Sequence, residues 1–267
     1  MAQNNTNLPM FPRGSKWRVW DMHVHSPASY GFKGDWEQFI IQIGTADCDI
    51  IGINDYFSVA GYREVLRRLN NPAEAASGNV TYCTAIEKLR LKALFPVIEC
   101  RMQNIVLHKN SSNKGGVRIN FHIIFSDTIN PAEIETLIKG LHYTKDTTIG
   151  EKYSDTEFLV NQVTVDFFKT VEKLQNNTIF KDKFLIWLPY DEYGGADGID
   201  PNTDQAFKQG LINASHIIGS SNHNQIAFFC WKHDRFTEEQ FREWFGKKIP
   251  CIKGSDSHNV NDHIGKL

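Results

Sequence analysis

Two pairs of metal-ligand-type residues, one near each end of the chain, constrain its fold more than any other feature. His23 and His25 come shortly after the apolar run 17–20, and Asp256 and His258 come shortly after the apolar run 249–252. Side chains at i and i+2 of a strand point to the same face, so each pair can grip one metal ion. An isolated His-x-His pair is more often structural, but the second pair favours a metal site.

Length, charge and cysteine usage limit the class of protein. A chain of 267 residues suits one large α/β domain, spanning 1–267, better than two small ones. The net charge of −2 gives no overall basic signature, so nucleic acid would have to bind a local patch. Five widely spaced cysteines without a C-x-x-C pair indicate reduced thiols in a cytoplasmic protein. No apolar run is long enough to span a membrane, and the polar start is not a signal peptide.

Short apolar runs of β type alternate with longer amphipathic stretches. The predicted strands are 17–24, 49–54, 95–107, 117–125, 184–189, 216–219, 226–231 and 249–253. The predicted helices are 36–43, 61–69, 131–141, 155–174 and 237–245, the last opening like a capping box. This alternation predicts parallel strands joined by right-handed crossovers. The exception is 95–125, where two β runs flank a turn-rich segment and predict a hairpin.

Further ligand-type residues stand where an α/β barrel places its site, at the ends of strands. Asp55 closes the run 49–54, where it is equally well explained as a helix N-cap. Glu99 lies inside an apolar run, which is costly unless the carboxylate is paired or metal-bound, and we favour a functional role over a structural salt bridge. His122 lies inside another apolar run, and taken alone it would be a hydrogen-bonded core histidine.

In order, these residues resemble the PHP (polymerase and histidinol phosphatase) superfamily. The motifs that carry the resemblance are Asp21-x-His23-x-His25, Asn54-Asp55-Tyr56, Pro96-Val97-Ile98-Glu99, Phe121-His122-Ile123-Ile124 and Gly254-Ser255-Asp256-Ser257-His258. The resemblance covers essentially the whole chain. It implies a distorted (β/α)₇ barrel with its metal site at the C-terminal ends of the strands, and hydrolysis of phosphoester bonds with one to three divalent metal ions.

A narrower resemblance is to the PHP domain that opens TrlF-type PHP–ATPase proteins, a group linked to bacterial defence against phage. The segments 13–31, 55–62 and 250–258 resemble its signatures. This implies that an ATPase domain would follow in a longer chain, that nucleic acid is the substrate, and that the protein is cytoplasmic. The sequence leaves the oligomeric state open.

The resemblance also implies a set of metal ligands. These are His23, His25, Asp55, Glu99, His122, Asp256 and His258. The first metal would be held by a complete set of four, namely His23, His25, Glu99 and Asp256. The second would use Glu99 and His122 but lacks another histidine, because 187–191 offers Trp187 and Asp191 instead. The third would keep His258 and Asp55, with Tyr56 replacing a histidine. His142, His216, His223, Asp191 or water could fill the gaps.

The chemistry of this set favours Zn²⁺, Mn²⁺ or Fe²⁺ over Mg²⁺, because the ligands mix imidazole with carboxylate. Glu99 would bridge two ions, and Asp21 would orient a ligand histidine unless it is a solvated or capping carboxylate. We assign catalysis to His23, His25, Glu99, Asp256 and Tyr56, although Tyr56 is equally well explained as a packing residue.

The resemblance therefore implies a metal-dependent phosphoesterase that serves as a nuclease module of an ATPase-linked defence protein. The alternative is a catalytically weak PHP scaffold that binds metal or nucleic acid and regulates an ATPase. Basic residues could track a phosphate backbone, although such a run is more often simply solvated. They are Arg63, Arg67, Arg68, Lys88, Arg90 and Lys92.

Overall fold

The computed structural model describes residues 17–71, 78–109, 116–141 and 163–265. Six strands form one sheet: β1 (Trp20–Val24), β2 (Ile50–Tyr56), β3 (Ala93–Leu107), β4 (Gly116–Phe125), β5 (Phe184–Pro189) and β6 (Ile217–Gly219). Eight α-helices lie between and after them in these ranges: α1 (Trp36–Thr45), α2 (Ala60–Asn70), α3 (Val80–Leu89), α4 (Pro131–Lys139), α5 (Phe167–Asn176), α6 (Pro201–Ala214), α7 (His223–Phe229) and α8 (Glu238–Phe245). None of the described helices is long and apolar enough to cross a membrane.

The strands follow one another across the sheet in chain order, from β1 to β6. The pairs β1–β2, β2–β3 and β5–β6 are parallel, as the alternating pattern predicts. The pair β3–β4 is the predicted antiparallel hairpin, whose tip at 110–115 lies outside the described residues. The pair β4–β5 is also antiparallel, which the sequence pattern did not indicate. The chain forms a mixed α/β fold.

The C-terminal segment 250–257 lies between the two edges of this sheet. The Ile218 amide donates to Pro250 O at 3.0 Å, and the Ile252 amide donates to Ile218 O at 2.9 Å. At the other edge, the His25 amide donates to Ser257 O at 3.0 Å. The sheet is therefore curled, and an irregular segment rather than a seventh strand joins its edges. The predicted strand 249–253 contributes only an isolated bridge at Cys251.

One buried cluster draws residues from five of the strands. It contains Met22 (β1), Val97 (β3), Ile124 (β4), Trp187 (β5) and Ile217 (β6). Val97 pairs with Ile124 in register, and two residues along each strand Glu99 pairs with His122. Because alternate side chains share a face, the concave face of the sheet changes from apolar to polar toward the carboxyl end of β3. The candidate site begins at this change.

Local capping explains several helix starts. The predicted capping box at α8 is confirmed, with Thr237 and Gln240 bonding reciprocally. Asn79, Asp200 and Asn222 cap helices that the apolar pattern did not predict. The prediction of a strand at 226–231 is wrong, because most of this run lies in α7, which Asn222 caps.

The remaining predicted helices are present, with one difference at the start of α5. The prediction placed that helix at 155–174, but 155–162 lies outside the described residues and the helix begins at Phe167. Asp166 caps it by accepting from the Lys169 amide at 3.0 Å. Just before it, Val165 forms a bridge with Met102, which holds the preceding segment in extended conformation. All five cysteines are free thiols, in agreement with the prediction.

Candidate metal centre

Four side chains from three parts of the chain converge at the polar end of the curled sheet. His23 and His25 come from the end of β1, Glu99 from β3, and Asp256 from the C-terminal segment. Their backbones are brought together by the parallel ladder from β1 to β3 and by the bridge between Val24 and Ser257. The first metal site that the sequence implies is thus assembled from residues separated by more than 230 positions in the chain.

The ligand atoms of these four residues lie at nearly equal distances. His23 Nε2 is 3.1 Å from His25 Nε2, 3.3 Å from Glu99 Oε2 and 3.1 Å from Asp256 Oδ1. His25 Nε2 is 3.4 Å from Glu99 Oε2 and 3.6 Å from Asp256 Oδ1. Ligands about 2.1 Å from a tetrahedral ion stand about 3.4 Å from one another. Five of the six pairs of ligand atoms therefore have the spacing expected around one metal ion.

Neighbouring polar side chains fix the orientation of two of these ligands. His25 Nδ1 lies 2.8 Å from Ser29 Oγ, which leaves Nε2 directed at the cluster. Glu99 Oε1 accepts from Asn120 Nδ2 at 2.8 Å, while Glu99 Oε2 faces both histidines and accepts from Asn54 Nδ2 at 3.3 Å. Such partners orient metal ligands and tune their basicity. Asn120 takes one of the two lone pairs of Oε1, so the predicted bridging of two ions by Glu99 would have to use the remaining lone pairs of the carboxylate.

Sequence reasoning missed Asn54, Asn120 and Ser29. The sequence did carry a signal for the two asparagines, because each has apolar neighbours in its predicted strand. The structure buries both side chains. A buried amide needs hydrogen-bond partners, which marks it as part of a polar network. No comparable signal marked Ser29, because its contact with His25 depends on the turn after β1.

Close backbone approach sets the position of Asp256. Gly254 packs against His23 and Trp187, and a Cβ at Gly254 would overlap the Cβ of His23. Asp256 itself has φ of +53°, a left-handed conformation that aspartate tolerates better than most residues. Its side chain is 53% exposed, whereas those of His23, His25 and Glu99 are at most 6% exposed. The cluster is therefore open to solvent on the Asp256 side.

The fully buried Asp21 holds the C-terminal segment in place. Its Oδ1 accepts from the amides of His23 at 3.3 Å and Ser255 at 3.0 Å, and its Oδ2 accepts from the Gly265 amide at 2.9 Å. The expectation that Asp21 orients a histidine ring is wrong, because all three partners are backbone amides. It ties Ser255, next to Asp256, to β1.

His122 carries a buried nitrogen without a partner. His122 Nδ1 lies 3.2 Å from Asn54 Oδ1, whereas Nε2 has no hydrogen-bond partner among the described residues. Burial and the charge of His23 lower the pKa of His122 to about 3, so the ring is neutral. Ligand atoms of His23, Glu99 and His122 lie within 4.8 Å of one another. The available lone pair of Nε2 makes this trio a second candidate group, sharing two residues with the first.

Trp187 fills the place where the second metal would need another ligand. It pairs in register with His122, its ring lies 4.7 Å from the His122 ring, and it is fully buried. An indole offers an N–H donor but no ligand atom. Of the residues considered for the gap, His142 lies outside the described part. His216, His223 and Asp191 are described, but none of them belongs to either group of candidate ligands.

Tyr56 and His258 bond to each other at the edge of the cluster. The Tyr56 hydroxyl lies 3.1 Å from His258 Nε2, and the His258 ring stacks on His25 with centroids 3.8 Å apart. Burial raises the pKa of Tyr56, so its hydroxyl remains protonated and donates to His258. His258 Nε2 is thereby engaged by a side chain, and His258 is not part of either group of candidate ligands among the described residues.

Asp55 lies beside the cluster but is held by hydrogen bonds to other groups. It accepts from the Ser26 amide at 3.2 Å, from the Ser26 hydroxyl at 2.9 Å and from the Gly61 amide at 2.9 Å. Gly61 lies in the first turn of α2, so Asp55 accepts from one amide of that turn, although the N-cap residue of the helix is Val59 and not Asp55. Asp55 joins neither group of candidate ligands.

The histidines and carboxylates of the cluster shift one another's pKa toward the charged forms. Burial would lower the pKa of His25, but hydrogen bonds with Asp256 and Glu99 outweigh it and raise the pKa to about 9. Burial would raise the pKa of Glu99, but His122, His23 and His25 hold it well below its usual range. The pKa of Asp256 is lowered against burial, chiefly by His25. The two carboxylates are therefore ionised, and His25 holds a proton at neutral pH that a cation would displace.

Most of the basic run considered for a phosphate backbone is engaged elsewhere. Arg67 and Arg68 both bond to Glu64, and Arg63 pairs with Glu135 at 2.5 Å. Lys92 donates to two backbone carbonyls, and Arg90 pairs with Glu87. These contacts favour the interpretation of this run as an ordinary charged surface.

Comparison with known proteins finds similarity to solved structures. No protein-family model matches the chain, and no curated protein matches it. Among solved structures, it is similar to a crystal structure from Bifidobacterium adolescentis of a protein provisionally named a metal-dependent phosphoesterase. The identity is 11%, the match covers 93% of this chain and 91% of that chain, and the TM-score is 0.46. At this level of similarity, a functional assignment has to come from the geometry of the site.

Proposed function

We propose that the protein is a metal-dependent phosphoesterase whose divalent ion is held by His23, His25, Glu99 and Asp256. The observation that carries this proposal is that both His23 Nε2 and His25 Nε2 lie 3.1–3.6 Å from a Glu99 oxygen, from an Asp256 oxygen and from each other. The donor set also fits, because both carboxylates are ionised and His25 Nδ1 bonds to Ser29, leaving its Nε2 for the ion.

The openness of the site bears on which ion it binds. A hydrolytic site needs a coordination position for water or substrate in addition to its protein ligands. With four protein ligands, this requires five or six positions, which favours Mn²⁺ or Fe²⁺ over a tetrahedral Zn²⁺. The exposed side of Asp256 is where this position would lie. A bound ion there supplies an activated water and neutralises charge that grows on the phosphoryl oxygens.

The residues around the ion have separate tasks in this proposal. Ser29 and Asn120 hold His25 and Glu99 in place, and the bonds from Asp21 to Ser255 and Gly265 hold the segment that carries Asp256. The Tyr56 hydroxyl lies at the edge of the cluster, where it would donate to a substrate phosphate after releasing His258 Nε2. His122 Nε2 provides a nitrogen for a second ion, which would share Glu99 with the first.

The finer assignment rests on the sequence motifs that resemble the PHP superfamily. We propose that the phosphoester is a phosphodiester of nucleic acid, that the barrel has the (β/α)₇ plan, and that the domain serves as the nuclease of an ATPase-linked defence protein. We further propose that the protein acts in the cytoplasm.

A second function is favoured by a specific observation. The first cluster already has four protein ligands, Trp187 replaces a ligand of the second, and Tyr56 bonds to the histidine of the third. A closed four-ligand site is typical of structural metals. The alternative is therefore a scaffold in which metal stabilises the join between β1 and the C-terminal segment without turnover.

Measuring hydrolysis separates the two functions. The purified protein is assayed on bis(p-nitrophenyl) phosphate and on labelled DNA and RNA, with Mn²⁺, Fe²⁺, Zn²⁺ or Mg²⁺. We expect turnover that requires metal and vanishes with chelator, and His23→Ala and Asp256→Ala should each abolish it because loss of a ligand removes or misplaces the ion.

Matched controls are available on the surface. His223 and Asp234 are exposed, so His223→Ala and Asp234→Ala should retain full turnover. Circular dichroism confirms that each variant is folded. A wild-type protein that is inert with every metal and substrate class would support the scaffold and contradict the hydrolase.

A further inference from the structure

Beyond the metal cluster, the same face of the β3–β4 hairpin carries two arginines. Arg101 follows Glu99 by two residues on β3, and Asn120 and Arg118 precede His122 at steps of two on β4. Arg101 pairs with Asn120 in register. Side chains at these steps share a face and are spaced by about 6.6 Å along a strand. The arginines therefore continue the row of polar side chains outward from the cluster.

A cavity of about 640 Å³ lies along this row. The hairpin forms one wall, with Arg101 and Arg118, and the segment 190–195 after β5 forms the opposite wall. The two walls meet at Asn120, whose backbone amide donates to Gly194 O at 2.9 Å. Gly194 has φ of +68°, and a Cβ there would lie 2.9 Å from Asn120 Cγ. Since Asn120 also bonds to Glu99, the cavity and the metal cluster are separated by a single side chain.

The arginines of this cavity are not neutralised by carboxylates. Arg101 Nε donates to Asn120 Oδ1 at 3.2 Å, and Arg118 donates to the Gln103 carbonyl. Neither guanidinium forms an ion pair within the described part of the chain. A guanidinium prefers bidentate partners such as carboxylate or phosphate. Both arginines are partly buried, so an anion that entered the cavity would meet fixed donors.

The acidic residues that line the cavity are occupied or can become neutral. Asp197 pairs with Lys109 at 2.7 Å, and Asp191 accepts from the Ser220 hydroxyl at 3.0 Å. Burial raises the pKa of Glu192 to about 7. Neither Arg101 nor Arg118 forms an ion pair with any of these three carboxylates, so both guanidinium groups remain available to an anion.

An exposed aromatic ring stands on the lining of the cavity. Tyr193 is 83% exposed and belongs to the wall formed by 190–195. Proteins that bind single-stranded nucleic acid combine a basic groove with aromatic rings on which bases stack. The cavity also has the size of a pocket for a drug-sized ligand, which admits one strand but not a duplex.

We propose that this cavity binds a single-stranded polynucleotide, with Arg118 and Arg101 contacting phosphates and Tyr193 stacking on a base. The strand would then lead from the cavity toward the solvent-open side of the metal cluster. This proposal rests on the proposed phosphodiesterase function for its substrate class, but the binding surface can be tested without catalysis.

The test is binding of a fluorescent 12-nucleotide DNA or RNA strand, followed by anisotropy in the presence of chelator so that no cleavage occurs. Arg118→Ala should weaken binding roughly tenfold, since a charge-assisted contact is lost. It should also reduce the slope of log affinity against log salt by about 0.7, the value for one phosphate contact of a single strand. Arg118→Lys should restore part of the slope.

Tyr193 provides a second variant that cannot act through folding, because its side chain is exposed. Tyr193→Ala should weaken binding by roughly tenfold, whereas Tyr193→Phe should bind like the wild type because it keeps the ring. The charge-matched control is Arg235→Ala, at an exposed position that does not line the cavity, which should change neither affinity nor salt slope. A duplex of the same sequence should bind more weakly than the strand.

The outcomes separate this proposal from the proposed function. Variants of Arg118 and Tyr193 that bind the strand as tightly as Arg235→Ala would overturn the binding surface, even if the protein hydrolyses phosphodiesters. Equal affinity for duplex and strand would overturn the choice of single strand. Arg118-dependent binding in a protein without any turnover would support the surface while contradicting the phosphodiesterase.

Discussion

Metal binding at the cluster should release a proton from His25. In the metal-free protein, Asp256 and Glu99 raise the pKa of His25 to about 9, so the imidazole is protonated at neutral pH. An ion can bind Nε2 only after this proton leaves, because a ligand histidine must be neutral. His122 is already neutral, and Glu99 and Asp256 are already ionised. The proton released on metal binding is therefore expected to come from His25, at one proton per ion.

The size of the effect follows from that pKa. At pH 7 the proton is bound about 100 times more often than not, so the apparent affinity for metal should be about 100-fold below its limit at high pH. The apparent affinity for metal should increase with pH, because raising the pH removes the His25 proton that competes with the ion. Affinity should rise about tenfold per pH unit between pH 7 and pH 8 and level off above pH 9.

Isothermal titration calorimetry measures the released proton directly. Titrating Mn²⁺ at pH 7.5 into protein in buffers of different ionisation enthalpy gives the number of protons released per ion. A competition assay against a chelator, repeated from pH 6.5 to 9.5, gives the slope. Full-affinity binding that is independent of pH in this range, with no proton released, would refute the assigned role of His25.

Two further predictions concern the other parts of the site. His122→Ala should still bind at least one equivalent of metal, because the group formed by His23, His25, Glu99 and Asp256 does not contain His122. Elemental analysis after desalting measures the bound metal. Complete loss of metal in this variant would show that the ranking of the two groups is wrong. Gly254→Ala should lower the free energy of unfolding by about 1–3 kcal/mol or more, because its methyl group overlaps His23 and must displace the C-terminal segment; a chemical denaturation curve like that of the wild type would contradict this packing.

Much of the fold and of the first cluster could be predicted from local sequence. The i, i+2 pair at His23 and His25 marks the end of β1, whereas Asp256 lies in an irregular segment. Apolar runs gave β1 to β6 to within a few residues. A carboxylate inside an apolar run identified Glu99. These signals are local, because burial of a polar side chain in a strand is visible in its neighbours.

Other parts of the site depend on long-range register and could not be predicted. Asn120 reaches Glu99 only because β4 pairs with β3 in one register, and Tyr56 reaches His258 across 202 positions of the chain. The sequence fits Asp55 equally well as a metal ligand or as a helix N-cap. Its actual contact, with the Gly61 amide, depends on how α2 packs against the end of β2. The antiparallel pairing of β4 with β5 likewise depends on where 126–183 returns to the sheet.

The central claim is that one ion sits among His23, His25, Glu99 and Asp256. Crystals of the Mn²⁺-loaded protein, with anomalous diffraction measured on both sides of the manganese edge, test it most directly. The account predicts an anomalous peak about 2.0–2.2 Å from the Nε2 atoms of both histidines and from one oxygen of each carboxylate. A fully loaded crystal with its peak elsewhere, or with His25 turned away from the ion, would contradict it.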